Sequence, residues 1–235
     1  MPNPPTINGM NSAAHALRYW ERKQDVVANN LANVSTDGFK AQHVFGKLID
    51  GISPLAQATS DMATGNLNDT GNPTDLAIRG DGFLVVQGGN GERYTRGGTM
   101  RIDEKHQLVN ADGLPLLGEK KGPIKLGDGP FTIGKNGEVT QNGSVVDRLR
   151  MEMAPNGTEL EREGNSLWLP PATRTVMKPE TRDLRQGVLE ESNVNSITSM
   201  IDMVAIQRSF AAVQKSIQEL DRSNQTVTTE IAKPL

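Results

Sequence analysis

One run, residues 129–136, comes nearest to a pattern that binds a phosphate. Its sequence GPFTIGKN matches G-x4-G-K but ends in Asn136, where a phosphate loop carries the Ser or Thr hydroxyl that binds magnesium. A phosphate loop also follows a strand and opens a helix, whereas FTI is itself strand-like and Asn136-Gly137 favours a hairpin turn. The run therefore predicts a β-hairpin, and no cofactor is expected.

Metal and thiol chemistry find no support in the sequence. The three histidines lie in different regions, and none has a second histidine three or four residues away: His15, His43 and His106. A zinc site is therefore not expected. The chain contains no cysteine, which excludes a disulfide, a thiolate nucleophile and a cysteine-bound metal.

Carboxylates and a short recognition motif also have simple structural explanations. Glu159, Glu161 and Glu163 alternate along a strand-like run, which favours a solvated strand face over a glycosidase pair in a cleft. Residues 79–81 spell the integrin-binding Arg-Gly-Asp, but Gly-Asp-Gly at residues 80–82 favours a turn between two strands. No nucleophile, base and orienting residue come together, so we predict no catalytic residues and a protein that is not an enzyme.

The bulk composition narrows the class of partner. A net charge of -3 and a pI near 5.7 favour neither nucleic acid nor an anionic membrane as a partner. No run approaches the length of a membrane-spanning helix, and the N-terminal residues lack the basic and apolar segments of a secretory signal. We therefore expect no nucleic-acid partner, no direct membrane insertion and no cleaved signal peptide.

Two long apolar seams lie near the two ends of the chain, and the helices that they predict would carry the contact surface of the protein. Along residues 8–34, apolar side chains alternate three and four residues apart, and Asp37-Gly38 offers a left-handed break after the helix. Along residues 193–232, the same alternation runs without a slip from Met203 onwards. Ile197, Met200 and Ile201 precede it slightly out of phase. Each seam predicts a long helix that pairs with another helix.

We predict that these seams and the adjacent polar positions make contacts between helices and between subunits. The candidates in the first helix are Met10, Leu17, Trp20, Val27, Asn29, Asn30, Leu31, Asn33 and Val34. The candidates in the last helix are Met203, Ile206, Phe210, Val213, Ile217, Leu220, Asn224 and Val227. A motif turn of Asp37, Gly38 and Phe39 follows the first helix.

Three asparagines in the last turns of the first helix need an explanation, because asparagine is a mediocre helix former. Asn29, Asn30 and Asn33 share one stripe beside the apolar seam. One of them can cap the helix end, and the other amides need hydrogen-bond partners if they are buried. An uncharged amide can fix the register of a packed helix contact without the cost of burying an ion.

The middle of the chain contains short strand-like runs. DLAIR, GFLVVQ and RYTR are examples, and the runs alternate with favourable hairpin turns at Asn90-Gly91, Asp112-Gly113, Asn136-Gly137 and Asn142-Gly143. The predicted fold class is α+β, with an antiparallel β-rich central domain inserted between long N- and C-terminal helices that pair as an antiparallel coiled coil. The predicted segments are an N-terminal helix (1–40), an extended connector (41–74), the β-rich domain (75–170), a second connector (171–192) and a C-terminal helix (193–235).

Three passages resemble one family. ANNLANVSTDGFK, residues 28–40, is similar to the N-terminal signature of bacterial flagellar rod, hook and hook-associated axial proteins. GVLEESNVNSITSMIDMVAIQRSF, residues 187–210, is similar to their C-terminal signature. DLAIRGDGFLVVQ, with RYTRGGTMRIDEKHQLVNADGLPLLG, resembles the β-domain of the rod and hook proteins. Segment 41–74 is short, as in the proximal rod member that has a β-domain, and the passages GNPTDLAIRGDGFLVV and GVLEESNV look most like that member.

The resemblance implies a structural subunit of the flagellar rod. In such proteins the terminal helices form an inner, axial-core domain that polymerises helically into the hollow drive shaft of the basal body, and the β-domain lies outside it. The implied partners are other copies of the chain, other rod and axial proteins, and the flagellar type III export apparatus, which uses no cleaved signal peptide. The implied location is the rod, spanning the periplasm.

Two other interpretations stay open at this point. Within the same family, the chain could be a distal rod protein or another axial protein of the hook and basal body. From a different class, the β-domain could be a binding or adhesion module that a coiled coil dimerises. Discrete dimers or trimers in dilute solution, without polymerisation, would favour the binding module.

Overall fold

The computed structural model describes residues 5–49, 53–120, 122–155, 157–164 and 166–231, and side chains for 10–46, 56–120, 122–155, 157–164 and 166–226. The chain divides into two compact units. The helical unit comprises Met1–Ala32, Gln42–Thr59 and Asn195–Leu235, and the β unit comprises Asn33–Ala41 and Ser60–Val194. Both units are therefore built from segments that are separated in sequence.

The helical unit contains two α-helices, α1 (Pro5–Ala32) and α2 (Ser196–Ile231), of 28 and 36 residues. Both form where apolar residues recur every three or four positions. Asn195 caps the start of α2, because its Oδ1 accepts a hydrogen bond from the backbone N–H of Thr198 at 3.0 Å. After α1 the chain turns at Gly38, whose φ of 68° lies in the left-handed region that favours glycine.

The predicted pairing of α1 and α2 as a long antiparallel coiled coil is wrong. The helices do meet, with Asn224 Nδ2 4.0 Å from Met10 Sδ. Met10 is exposed, however, and Ile206 is buried whereas the other predicted positions from Met203 to Asn224 are only half-buried. A coiled coil inserts each seam side chain into a hole on its partner. Here most seam side chains keep part of their surface exposed, as expected for one helix at each end of a β-rich chain, and only the α+β class holds.

The helical unit also contains a two-stranded sheet of β1 (Gln42–Ile49) and β2 (Ser53–Ser60). These strands lie in segment 41–74, which we predicted as an extended connector. The side chain of Asn30 in α1 makes two hydrogen bonds to Gln42, the first residue of β1. Asn30 Nδ2 donates to Gln42 O at 2.8 Å, and Gln42 N donates to Asn30 Oδ1 at 2.9 Å. The two-stranded sheet is thereby attached to α1 by two hydrogen bonds to one amide.

The β unit is built from short strands and one 3-10 helix, Pro179–Thr181. In chain order the strands are β3 (Leu67–Asp69), β4 (Asp75–Ile78), β5 (Phe83–Gly88), β6 (Gly91–Thr95), β7 (Gly97–Thr99), β8 (Arg101–Ile102), β9 (Leu108–Val109), β10 (Phe131–Ile133), β11 (Glu138–Gln141), β12 (Ser144–Arg148), β13 (Met151–Met153), β14 (Arg162–Glu163), β15 (Leu167–Trp168), β16 (Thr175–Val176), β17 (Leu184–Gln186) and β18 (Val188–Glu190).

Antiparallel pairing joins these strands into several small sheets. The largest has six strands in the order β14-β15-β6-β5-β13-β16, and β10-β11-β12 and β17-β4-β7 form three-stranded sheets. The pairs β18-β3 and β8-β9 complete the set among the described residues. Asn142 and Gly143 both take positive φ values, 52° and 75°, in the turn between β11 and β12, as a tight hairpin requires.

Two clusters of apolar side chains form the core of the β unit. The larger one is mostly aliphatic and includes Leu76, Leu84 and Leu116, which are completely buried. The smaller one surrounds Trp168, where the rings of Phe83 and Tyr94 stack with centroids 5.0 Å apart. Strand pairing and these clusters give the unit an interior of its own.

Neither described helix combines the length and the apolar character that crossing a membrane would require.

Candidate assembly surface

The motifs considered for chemistry fold as connections between strands. FTI forms β10, and the hairpin turn to β11 closes with Gly137 N donating to Gly134 O at 2.8 Å. Arg79, Gly80 and Asp81 form an exposed connection between β4 and β5. Within the described part of the chain, no group of three or more His, Asp or Glu side chains could hold a metal ion.

The motif turn predicted after α1 lies in the β unit. Gly38 N donates to Glu190 O at 2.6 Å, Phe39 is completely buried, and Asp37 is exposed. The guanidinium of Arg162 lies 4.1 Å from the centre of the Phe39 ring. Its Nη1 donates a hydrogen bond to Lys40 O at 2.9 Å. This stacking contact explains the aromatic residue at the turn. Burial lowers the pKa of Arg162 to about 10.

A buried ion network continues from the turn. Lys40 Nζ lies 2.5 Å from Glu190 Oε1 and donates to Ala63 O at 2.6 Å. Arg96 Nε lies 3.5 Å from Glu190 Oε2, and Gly65 N donates to Glu190 Oε1 at 2.9 Å. The three charged side chains are almost completely enclosed. One carboxylate from β18 therefore balances two cations that lie far from it in sequence.

The two cations have shifted pKa values for the same reason. Burial lowers the pKa of Lys40, and the hydrogen bond and charge of Glu190 oppose this effect only in part. Burial also lowers the pKa of Arg96, again against the attraction of Glu190. Since an isolated buried charge is very costly, Glu190 is the group that allows both cations to stay charged in the interior.

Asn193 links the passages at 28–40 and 187–210, which resembled the two signatures, because its backbone N–H donates to Phe39 O at 3.3 Å. Its Oδ1 accepts a hydrogen bond from Ala41 N at 2.7 Å, and its Nδ2 donates to Asp61 O at 3.0 Å and Ala63 O at 3.1 Å. Parts of both passages thus meet inside the β unit. Sequence reasoning missed Lys40, Arg96, Glu190 and Asn193 as structural residues, because single sequences do not show which charges and amides are paired.

The three helix asparagines divide into two kinds. Asn30 is buried and holds Gln42, and Asn33 is buried and accepts a hydrogen bond from Thr36 Oγ1 at 3.2 Å. Asn29 lies on the exposed side of α1. The structure therefore buries Asn30 and Asn33 with hydrogen-bond partners in the chain, and leaves Asn29 exposed to solvent.

The remaining predicted contact residues differ in burial. Val27 is buried like Ile206, and a larger group is half-buried: Leu17, Trp20, Leu31, Val34, Met203, Phe210, Val213, Ile217, Leu220 and Asn224. Val227 lies in α2, but its side chain is outside the described residues. Half-buried seam positions keep apolar surface that further packing could cover.

A second apolar surface on α2, here called the α2 stripe, was not among the predicted site residues. It consists of Ile197, Met200, Ile201 and Val204, whose exposed fractions are 70, 55, 64 and 48 %. The spacing i, i+3, i+4, i+7 places all four on one side of the helix. Their phase, shifted from the main seam, was visible in the sequence and was the signal of a second contact face.

Comparisons with known families match three parts of the chain. The models are "Flagella basal body rod protein" over residues 10–40, "Flagellar hook protein FlgE/F/G D1 domain" over residues 77–147, and "Flagellar basal body rod FlgEFG protein C-terminal" over residues 185–230. The outer two matches cover most of α1 and most of α2, and the middle one covers much of the β unit. All three models describe flagellar rod or hook proteins.

Individual relatives agree over almost the whole chain. "Flagellar basal-body rod protein FlgF" of Caulobacter vibrioides is 34 % identical over 221 residues, which is 86 % of this chain and 90 % of the relative. The Salmonella typhimurium protein of the same description is 35 % identical over 237 residues, 88 % of this chain and 92 % of the relative. "Flagellar hook-basal body complex protein FlhO" of Bacillus subtilis is 29 % identical, covering 97 % and 99 %. The chain belongs to the family of flagellar basal-body rod proteins.

Proposed function

We propose that the chain is a structural subunit of the bacterial flagellar rod, which polymerises helically through its terminal helices. Its partners are other copies of itself and other rod and axial proteins of the hook and basal body. The relatives named as flagellar basal-body rod proteins support this function. The product of polymerisation is the hollow drive shaft of the basal body, so the protein works by transmitting torque and carries out no catalysis.

One observation carries the proposal: four large apolar side chains stand exposed together on α2. Isolated exposed apolar residues are normal, but a contiguous row on one helix face marks a contact surface. A contact between two different surfaces of identical subunits does not close on itself unless the rotation happens to form a ring. The α2 stripe is therefore suited to open-ended assembly.

The finer parts of the proposal concern position and export. The chain is the proximal rod member with a β-domain, which its short segment between α1 and β4 supports. It lies in the part of the rod that spans the periplasm, and the flagellar type III export apparatus delivers it without cleaving a signal peptide. These points rest on the resemblance to rod proteins and on the names of the relatives.

A substitution in the α2 stripe tests the function. Ile201→Asp places a charge in an apolar contact, so a strain that carries this variant alone should lose swimming in soft agar and lack the chain in purified basal bodies. Val145→Asp is the matched control, because Val145 is 60 % exposed but lies in the β unit. The control strain should swim and assemble.

The fold of the variant must be checked at the same time. Both variants should keep the unfolding transition of the unchanged chain in urea, since neither side chain contributes to a core. Normal swimming and normal basal-body content of the Ile201→Asp strain would contradict assembly through the terminal helices. An equal loss of swimming and of basal-body content in both strains would likewise argue against a specific role of α2.

A further inference from the structure

The outer side of α2 changes character along its length. The α2 stripe occupies the first turns, and Arg208 continues the same side one turn after Val204. Arg208 is exposed, as are Ala205 and Ala211 around it. The face therefore begins with large apolar side chains and goes on to a positive charge.

The outer side of α1 has the complementary order. Ala32 and Ala28 lie on one side of its last turns, followed on the same side by Asp25 and Glu21 towards the start of the helix. All four are exposed. This α1 outer face, defined by these four residues, offers small side chains first and carboxylates next.

The two faces also agree in spacing. Met10 near the beginning of α1 contacts Asn224 in the far part of α2, and Asn193 N just before α2 donates to Phe39 O after α1 at 3.3 Å. The helices therefore run in opposite directions, and Ala32 and Ile197 lie at the same end of the helical unit. Eleven residues separate Ala32 from Glu21, and eleven separate Ile197 from Arg208. At 1.5 Å per residue both intervals are roughly 16 Å.

From this match we infer that the α2 stripe of one copy packs on the α1 outer face of a second copy. Ile197 and Ile201 lie over Ala32 and Ala28, and the guanidinium of Arg208 pairs with the carboxylate of Glu21. Small residues allow a neighbouring helix to approach closely and leave room for the large side chains of the stripe. This contact rests on the proposed function and specifies which surfaces of the subunit meet.

The second copy, and not the same chain, supplies the partner face. Within one chain, the buried Val27 and Ile206 and the half-buried seam residues mark the inner sides of α1 and α2. The stripe and the α1 outer face are on the opposite sides of their helices and point away from each other. Each copy carries both faces, so the same contact can repeat from copy to copy and leaves one unoccupied face at each end of the assembly.

Charge reversal tests the predicted pair. Arg208→Glu and Glu21→Arg each place like charges together, so each single variant should reduce swim-ring expansion and basal-body content at least about tenfold. The double variant should restore both, since it recreates the pair in reverse. Arg222→Glu is the matched control on the same outer side of α2 and should behave as the unchanged chain. Single variants without effect, or a double variant no better than the singles, would overturn the inference.

Cross-linking provides an independent test, because the chain has no cysteine of its own. A chain with Ala28→Cys and Ile201→Cys should form disulfide-linked dimers and larger multimers when purified basal bodies are oxidised with copper–phenanthroline. Ala14→Cys with Ile201→Cys is the control, since position 14 lies on the same side of α1 but fourteen residues from Ala28, and should stay monomeric.

The outcomes separate a failure of the inferred contact from a failure of the proposed function. If the chain is present in basal bodies but the Ala28 and Ile201 pair gives only monomer, or adducts with a different protein, the inferred contact is wrong and the proposed function survives. If the unchanged chain is absent from purified basal bodies, the proposed function itself fails.

Discussion

The β unit and the helical unit enclose their apolar side chains to very different extents. In the β unit, Trp168, Leu84 and Leu116 are completely buried in clusters that join several strands. Among the described side chains of the helical unit, the buried apolar ones are Val26, Val27 and Ile206. The difference indicates that the β unit can fold from its own contacts, while the described part of the helical unit gains little stability from buried apolar side chains.

The buried polar groups differ in the same way. The β unit encloses charges, including Lys40, Arg96 and Glu190, in contacts completed within the unit. The described buried polar side chains of the helical unit are the uncharged Asn30 and Ser199. A closed interior can hold ions in fixed pairs, whereas a helix surface that must meet other subunits is better served by groups without a large desolvation cost.

The largest expected effect comes from removing the carboxylate that balances two cations. Glu190→Ala leaves Lys40 and Arg96 buried without their shared counter-ion, so the free energy of unfolding of the β unit should fall by about 3–5 kcal/mol. Urea unfolding of the full chain measures the change. The neighbouring Glu191→Ala is the control, since Glu191 is exposed and its replacement should change the free energy of unfolding little.

A matched pair of truncations should separate the two units directly. Leu84→Ala opens a cavity in the β unit and should lower the free energy of unfolding by about 2–5 kcal/mol. Ile201→Ala removes an apolar side chain of similar size that is exposed, and should change the same free energy by less than about 0.5 kcal/mol. Similar losses in both variants, measured by urea unfolding, would erase the contrast between the units.

The smallest effect concerns alkaline pH. Burial, together with the hydrogen bond that Tyr94 donates to Glu152 Oε2 at 2.8 Å, raises the pKa of Tyr94 well above its ordinary value near 10. Between the ordinary pKa and the raised one, the unfolded chain has lost the tyrosine proton while the folded chain keeps it. The free energy of unfolding should therefore fall by about 1.4 kcal/mol per pH unit in this range.

The variant Tyr94→Phe isolates this contribution, because it should lack that part of the alkaline slope in urea unfolding. The lowered pKa values of Lys40 and Arg162 act with the opposite sign, since the folded chain then binds fewer protons than the unfolded one. Both proteins share these cations, so the difference between their slopes reports Tyr94 alone. Identical slopes would mean that the phenol is not held protonated in the fold.

Local patterns in the sequence were sufficient for many elements. The apolar alternation predicted helices at both ends, and DLAIR, GFLVVQ and RYTR contribute β4, β5 and β6. Asn90-Gly91 and Asn142-Gly143 predicted hairpin turns where the chain makes them. These features depend on residues a few positions apart, which a single sequence displays.

Contacts between distant residues could not be predicted in the same way. The ion pair of Lys40 with Glu190 spans 150 positions, and nothing in either neighbourhood indicates that these charges are buried. The continuous seam suggested a coiled coil, but a periodic pattern does not tell whether one helix or several neighbours cover it. The α2 stripe could not be assigned for a related reason, because a shift in phase does not tell whether its side chains are covered within the chain or exposed.

The separation of Lys40 from Glu190 has a consequence for the newly made chain. A ribosome releases the N-terminal part first, so β3 and β4 emerge long before β18 and β17, with which they pair. Until translation has passed position 190, roughly four fifths of the way along the 235 residues, the lysine lacks its counter-ion and these edges stay incomplete. The β unit therefore closes late in synthesis, which leaves a long interval in which other proteins can bind the unfinished polypeptide.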